Sequence, residues 1–328
     1  ADEVTKLDRT SRNEVFAQIE QDLSFAASVL DWNDPIKGRI TKGACLSLLG
    51  KAYLYQDKFD QAASTFDEVI NQNRYELISD YTDLFKVNNE GHSEAVFDVQ
   101  YSGAEGGGYG CLICLEGNAA PGFQGIRQYN GPVYGDGNSY NLPTQDLYDA
   151  FDATDIRRDA TVLDIDAFIA RQSNSSEITY AIGGGGHTGY YNNKYIKRQG
   201  EIGLPDNDLT SPVNYIVIRY ADVLLMAAEA HNRSTSPDDS KAQGYLNQVR
   251  NRVNMPPINA SGNTLTEAIW AERRLELSGE GHRFFDLVRT AKAADEINGF
   301  ITGKHELFPI PQVEIDLAGG NWSQNNNY

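Results

Sequence analysis

Apolar positions near the start of the chain recur with a helical period. Val15, Ile19, Leu23 and Ala26 stand three or four residues apart as far as Leu30, with Asp22 in the same run, and predict an amphipathic helix. Ser11 and Glu14 form an S-x-x-E box at its start, where hydroxyl and carboxylate each take a free backbone N–H. Trp32 and Pro35 place a loop after it, with Trp32 read as a packing cap rather than a binding platform. Glu94 to Tyr101 alternates with period two and predicts a strand. Helical spacing returns over residues 211–328. Tyr220 to Ala230 is apolar on two sides, a polar loop with Pro237 runs from Ser234 to Ser240, and another helix is predicted over 265–279. Residues 102–210 hold no sustained period. Glycine clusters at Gly106–Gly108 and Gly183–Gly186 mark loops, and only short helices are predicted, from Thr144 to about Ala153 and from Asp164 to Arg171. The chain therefore reads as three regions, 1–101, 102–210 and 211–328, within one compact domain.

A repeat signature lies in the first region. Leu46, Leu49, Gly50 and Tyr53 followed by Ala62, Phe66 and Val69 resemble the tetratricopeptide pattern, over a hairpin at about 43–76. Gly50 and Ala62 are small where two helices must cross closely, while Tyr53 and Phe66 are large enough to fill the groove between hairpins. Leu46 stands where the pattern has Trp, and Arg74 where it has Pro. Ala242, Leu246 and Val249 repeat the spacing and predict a second such hairpin.

Composition narrows the function classes. With 328 residues, 40% of them apolar, the chain is long enough to bury a substantial core. Its 46 acidic against 28 basic residues leave a net charge of −18, and that field repels a phosphate backbone, which excludes nucleic acid as a partner. Residues 1–25 lack the basic and apolar segments of a secretory signal. Three cysteines make no disulfide framework. Cys45 reads as a buried small residue, and Cys111 and Cys114 form a C-x-x-C without the second ligand pair a zinc site needs. The five histidines have no metal-ligand spacing, and Asp206-Asn-Asp208 is read as a turn, so no metal and no cofactor are expected. Neither glycine run is followed by Lys and Ser or Thr, so no phosphate loop is supported.

The charged stretch Glu272, Arg273, Arg274, Glu276, Glu280, Arg283, Asp286 and Arg289 invites an enzyme reading, because glycoside hydrolysis uses two carboxylates about 5–10 Å apart. These glutamates alternate with arginines at i±3 and i±4, the spacing of ion pairs along a helix. A paired glutamate is held ionised, which is wrong for a general acid. The structural reading is preferred, with a glycosidase using Glu276 and Glu272 or Glu280 as a rival.

Several segments in order resemble the SusD/RagB family. They are Arg219 to Ala230 (R-Y-A-D-V-L-L-M-A-A-E-A), Leu246 to Val253, Glu272 to Leu277 with Glu280 to Arg289 (E-G-H-R-F-F-D-L-V-R), and Leu307 to Gln312. Leu7 to Leu30, Asp155-Ile-Arg-Arg158 and Lys194-Tyr195 resemble earlier family elements, so the resemblance runs nearly the whole chain. It implies a mainly α, right-handed tetratricopeptide-like scaffold carrying a loop-rich Tyr/Gly insertion, and a non-catalytic role. Family members sit on the outer membrane of Gram-negative bacteria through a lipid-bearing Cys. They capture oligosaccharides or polysaccharides for a TonB-dependent, SusC-like transporter. The lipid-bearing Cys and a long stretch before the helix at Ser11 have no counterpart in this sequence, which is therefore expected to match the C-terminal two-thirds of a member. The family's terminal Q-N-P-G-Y stands here as Gln324-Asn-Asn-Asn-Tyr328.

Within that frame, the distribution of tyrosine is informative. Ten of the 18 tyrosines and 17 of the 30 glycines lie between residues 101 and 200. Pyranose C–H groups pack on aromatic faces while polar neighbours bond the hydroxyls. Tyr109, Tyr129, Tyr134, Tyr140, Tyr190 and Tyr191 are thus the candidate stacking platform, with Asn130, Asp136, Arg127, Asn138 and Gln128 as candidate hydroxyl partners. For each tyrosine the competing reading is closure of a loop onto the scaffold, and for each polar neighbour it is the chemistry of turns. A different class of function, peptide or protein binding in the helical groove, is the alternative.

Overall fold

The computed structural model describes residues 9–103, 117–182, 187–201 and 209–328. The first helix, α1 (Arg12–Val29), begins as expected, with Ser11 as N-cap and the reciprocal Ser11–Glu14 box formed. Next come α2 (Lys42–Leu54) and α3 (Phe59–Asn71), the predicted hairpin. A Cβ added at Gly50 would lie 2.6 Å from the Phe66 ring, so glycine is what lets the two helices approach. Phe66 and Ala62 are both fully buried, and Cys45 lies in the same core. Trp32 packs against this core with Lys42 over its ring, the cap its loop position suggested.

Strand β1 (Ala95–Val99) follows. The loop-rich stretch then holds α4 (Ala120–Gln124), β2 (Ile126–Arg127), β3 (Asp136–Gly137), α5 (Gln145–Ala150), α6 (Arg157–Thr161), β4 (Val162–Asp164), α7 (Ile165–Ala170) and β5 (Tyr190–Asn192). The chain returns through β6 (Tyr215–Arg219) into α8 (Tyr220–Arg233), α9 (Asp239–Arg252), α10 (Gly262–Glu276), α11 (Arg283–Arg289), α12 (Ala293–Glu296) and α13 (Gln312–Leu317). Two boundaries differ from the sequence reading. The helix after Thr144 stops at Ala150, and the helix expected over 265–279 runs from Gly262 to Glu276. Gly279 and Gly281 both take positive φ and turn the chain into α11.

α8 and α9 form the second hairpin, and α8 packs on α3, α9 and α10, which explains why both of its faces are apolar. β1 and β6 pair antiparallel, from Ala95 opposite Arg219 to Val99 opposite Tyr215, so they close the base of the loop-rich stretch. That stretch has a core of its own. Ile126, Tyr129, Tyr134, Leu163, Ile165, Phe168, Ile178, Tyr191 and Ile196 pack together away from the helical core.

A buried ion network joins the two parts. The glutamates at 272, 276 and 280 were expected to pair along their own helix. Instead they reach across to other elements. Arg157 bonds Asp155, Glu272 (2.5 Å) and Glu276 (2.9 Å). Arg219 bonds Glu94 (2.9 Å), Glu276 (2.5 Å) and Glu280 (2.8 Å), and Arg252 bonds Glu94 and Glu276. Lys194 closes the set on Glu280 at 2.6 Å. Spacing at i,i+4 puts the glutamates on one face of the helix and the turn after it, and that face looks inward at cations from the loop region, β6 and α9. A second buried set links Arg273 to Asp222 and Asp286, and Arg289 to Glu229 and Asp286.

Candidate functional site

The structure divides the candidate tyrosines. Tyr129, Tyr134, Tyr190 and Tyr191 are buried, which corrects their assignment to a stacking platform. Tyr129 stands edge-on to Tyr134, and its hydroxyl donates to the Pro132 carbonyl at 2.8 Å. Tyr134 stands edge-on to Phe168, and its hydroxyl bonds the Asn193 side chain. Tyr190 stacks on Tyr148 at 4.8 Å and bonds Gln145, while Tyr191 is fully enclosed. With few apolar residues and little regular structure, this stretch uses tyrosine rings as its core and satisfies most of their hydroxyls locally. Tyr109 lies outside the described residues, as do Cys111, Cys114 and Asp206 to Asp208.

Tyr140 is different: 59% of it is exposed. Its ring stacks on that of half-buried Phe123, with centroids 6.1 Å apart and planes 27° from parallel. The backbone explains how the pair is held. α4 ends at Gly125, β2 and β3 run parallel beside it, and the Tyr140 N–H donates to the Phe123 carbonyl at 2.9 Å. A Cβ on Gly137 would lie 2.4 Å from the Gly125 Cα, so only glycine allows the strands to meet. Ser139 and Asn141, on either side of Tyr140, both take positive φ (58° and 53°). Such residues cost of order 1 kcal/mol each and persist where the surroundings over-determine them.

The polar candidates serve this loop. The Arg127 backbone N–H donates to Ser139 Oγ at 3.0 Å, and its guanidinium donates to the Asn138 carbonyl at 2.9 Å. Arg127 therefore braces the Tyr140 loop. Gln128 takes positive φ at the next turn. The Asn130 backbone is bridged to Thr179, and Asn130 and Asp136 are both exposed.

Beside Tyr140 opens a cleft of about 230 Å³. Asn141, Thr144 and Leu147 form one wall, and Asn192, Ser278 and Arg274 contribute to the other. Asn192 donates to the Gln124 side chain at 2.7 Å, tying the cleft to the helix that bears Phe123. Arg274 pairs with exposed Asp146 and Arg283 with exposed Glu296, so both guanidinia are held at the surface by partners that water also reaches. One flat aromatic face, and a cleft whose apolar lining of Leu142, Pro143 and Leu147 is mixed with amide, hydroxyl and guanidinium groups, suit a ring that is apolar on its faces and hydroxylated at its edge. Phe123 was missed because the sequence reading followed tyrosine alone; an aromatic after Pro-Gly in a loop-rich stretch was the available signal.

The glutamates of the glycosidase rival do not resemble an acid–base pair. Burial pushes Glu276 upward, but the guanidinia of Arg252, Arg219 and Arg157 outweigh it and hold the carboxyl well below the usual range. Glu280 is likewise driven up by burial and held down overall by Arg219 and Lys194. Both are enclosed and bonded to cations, so neither has a proton to give or access to a substrate.

The SusD family model matches residues 68–328. The chain belongs to the SusD family. SusD-like protein P2 of Formosa agariphila is 30% identical over 99% of this chain and 67% of its own length. A SusD-like protein of Bacteroides ovatus is 28% identical over 84% of this chain and 50% of its own. Among solved structures, a laminarin-binding SusD-like protein superposes with a TM-score of 0.87 at 38% identity, covering 97% of this chain and 70% of that one. Surface glycan-binding protein A of Bacteroides thetaiotaomicron, in complex with laminarihexaose, gives a TM-score of 0.86 at 28% identity, covering 97% and 72%. The chain thus spans about half to two thirds of the curated relatives' length. The mainly helical, tetratricopeptide-like scaffold expected from its sequence is that of SusD-like proteins. The motifs that carried the resemblance meet in the ion network. Arg157 of D-x-R-R, Lys194 of K-Y and Arg219 converge on Glu276 and Glu280. Among the described residues, no helix is long and apolar enough to cross a membrane.

Proposed function

We propose that this SusD-family chain binds an oligosaccharide or polysaccharide non-covalently at the cell surface and passes it to a TonB-dependent, SusC-like outer-membrane transporter, without cleaving it. The observation that carries the reading is the exposed Tyr140 ring, stacked on Phe123, flanked by two residues of positive φ and followed directly by Asn141, which lines the neighbouring cleft. In this reading a sugar ring lies on Tyr140, and its hydroxyls bond Asn141 and Thr144. Tyr109, Asn130 and Asp136 remain further candidate contacts. The laminarin-binding relative and the laminarihexaose complex support a glycan as ligand and make laminarin the first one to try. Anchoring is by lipid on the outer membrane.

Affinity electrophoresis against a polysaccharide panel that includes laminarin tests this, with Tyr140→Ala and Tyr140→Phe beside the unmodified chain. Loss of one stacked ring costs about 1 kcal/mol or somewhat more, close to ten-fold in affinity, so Tyr140→Ala should run almost unretarded while Tyr140→Phe keeps its retardation. Absence of retardation by every glycan, or equal retardation of Tyr140→Ala, would refute the assignment.

A further inference from the structure

The cleft beside Tyr140 carries charge of one sign. Among the described residues that line it, Arg274 and Arg283 are the only ionisable ones, and no carboxylate stands with them. In a chain with 46 acidic and 28 basic residues, that is the opposite of the prevailing balance. The turn between two helices places the pair. Arg274 stands in the last turn of α10 and Arg283 opens α11, while Gly279 and Gly281, both at positive φ, fold the chain back between them. The Asn192 amide donates to the Gly279 carbonyl at 2.9 Å and to the Gln124 side chain at 2.7 Å. Gln124 follows Phe123, so one amide ties the arginine wall to the aromatic platform.

Each guanidinium has capacity to spare. Arg274 bonds exposed Asp146, and Arg283 bonds exposed Glu296 at 3.2 Å, both through Nη2. Among the described residues each has that single ion-pair partner, whereas Arg157, Arg219 and Arg273 have two or three. Burial pulls the Arg283 guanidinium below its ordinary value, and the like charge of Arg274 acts next, ahead of Glu296 and Asp286. An anion held by both guanidinia relieves that repulsion, and the guanidinium fork matches the paired oxygens of a carboxylate or a sulfate. On the far side of the two arginines, a hollow of about 160 Å³ mixes Lys292 with Glu267, Asp286 and Glu296, so the charge left unopposed lies on the Tyr140 side. The net charge of −18 does not decide the matter, because exposed charges more than about 8 Å away are largely screened at physiological salt. Resting on the glycan reading above, we infer that the cleft selects glycans bearing an anionic group, a uronate carboxylate or a sulfate ester, which Arg274 and Arg283 hold while a ring of the same glycan lies on Tyr140.

Isothermal titration calorimetry with laminarin, laminarin oxidised at C6 to the uronate, and laminarin sulfate tests this, with alginate and carrageenan as charged chains of other backbones. At low salt at least one charged glycan should bind about ten-fold or more tightly than neutral laminarin, and the carboxylate and sulfate arms tell which anion is read. The advantage should shrink at about 1 M salt, where the Debye length is about 3 Å. Arg274→Gln/Arg283→Gln should bring charged and neutral glycans to equal affinity, whereas Tyr140→Ala weakens both. Asp146→Asn/Glu296→Gln removes the competing carboxylates and should tighten charged glycans several-fold without tightening laminarin, a response that purely structural pairs would not give. The salt series uses the unmodified chain and so decides even where a variant folds poorly. No advantage of any charged glycan over laminarin, an advantage indifferent to salt, or one that survives in Arg274→Gln/Arg283→Gln overturns the selection and leaves the glycan reading standing. Binding of no glycan, neutral or charged, overturns both.

Discussion

Replacing Glu276 by Gln keeps the side chain's volume but removes the charge that three guanidinia share. Arg219 would keep Glu94 and Glu280, Arg157 would keep Asp155 and Glu272, and Arg252 would keep Glu94. None is fully orphaned, yet three buried cations would face one carboxylate fewer. Breaking a buried network from one side costs about 3–5 kcal/mol, and the amide oxygen that remains places Gln at the lower end, near 3 kcal/mol. For a chain this size, at about 2.1 cal/mol/K of unfolding entropy per residue, that lowers Tm by roughly 4 °C. Glu296→Gln is the control, because its pair with Arg283 is exposed on both sides and should matter by less than about 1 kcal/mol. The sign with pH follows from the depressed carboxyl. Its contribution is full above the unfolded glutamate value of about 4.3 and is lost as pH falls through the lower folded value. The gap between unmodified chain and Glu276→Gln should therefore narrow from pH 7 to pH 3. Urea melts at both pH values measure it. A Glu276→Gln midpoint indistinguishable from that of Glu296→Gln at pH 7 would show the network to be incidental. Reducing-end release that disappears in Glu276→Gln would return the glutamate to a catalytic role.

Tyr134→Ala should cost about 3–5 kcal/mol by opening a cavity in the loop-region core, while the protein that stays folded binds glycan as before. Circular dichroism melts beside affinity electrophoresis separate the two effects, and selective loss of binding would return Tyr134 to the site. Gly50→Ala improves helix propensity by up to about 1 kcal/mol, yet its methyl would press on the Phe66 ring, so the net change should be a loss of about 1 kcal/mol or more in a chemical melt. An unchanged or raised midpoint would mean the hairpin yields easily. Asp67 is pushed up by burial, but hydrogen bonds from His231, Lys241 and Tyr245 prevail and hold it at about 2. The stability it supplies, about 1 kcal/mol once screening at this half-buried site is allowed for, should vanish as pH falls from about 4 towards 2. Asp67→Asn should lack that part of the acid transition, and an identical acid profile would contradict the link between α3 and α9.

The scaffold was legible because its determinants are local. Gly50 with Ala62 and Phe66, the Ser11–Glu14 box and the small-and-large alternation of Tyr220 to Ala230 each define a helix or a crossing within a few turns of chain. The tyrosines were not legible in the same way. Tyr134 and Tyr140 both stand among glycines and asparagines, and what separates them is tertiary: Tyr134 faces Phe168, while Gly125 meeting Gly137 lifts Tyr140 to the surface. The glutamates failed differently. Their i,i+4 spacing is correct for one helical face, but it carries no information about what the face meets, and the partners lie at positions 157, 194, 219 and 252. Unexplained basic residues at Asp155-Ile-Arg-Arg158 and Lys194-Tyr195 were the trace those partners left in the sequence.

The β1–β6 pair has an evolutionary consequence. Because Val99 and Tyr215 are held side by side, the excursion between them begins and ends at one fixed doorway in the scaffold. The entropy of closing a loop rises only by about 0.6 kcal/mol for each doubling of its length, so residues can be added or removed beyond that doorway at little expense to the helices. The excursion is thus an exchangeable cassette. Its length and sequence can change while the frame stays as it is, provided each new version still supplies the equivalents of Arg157 and Lys194 that dock it onto the glutamates below.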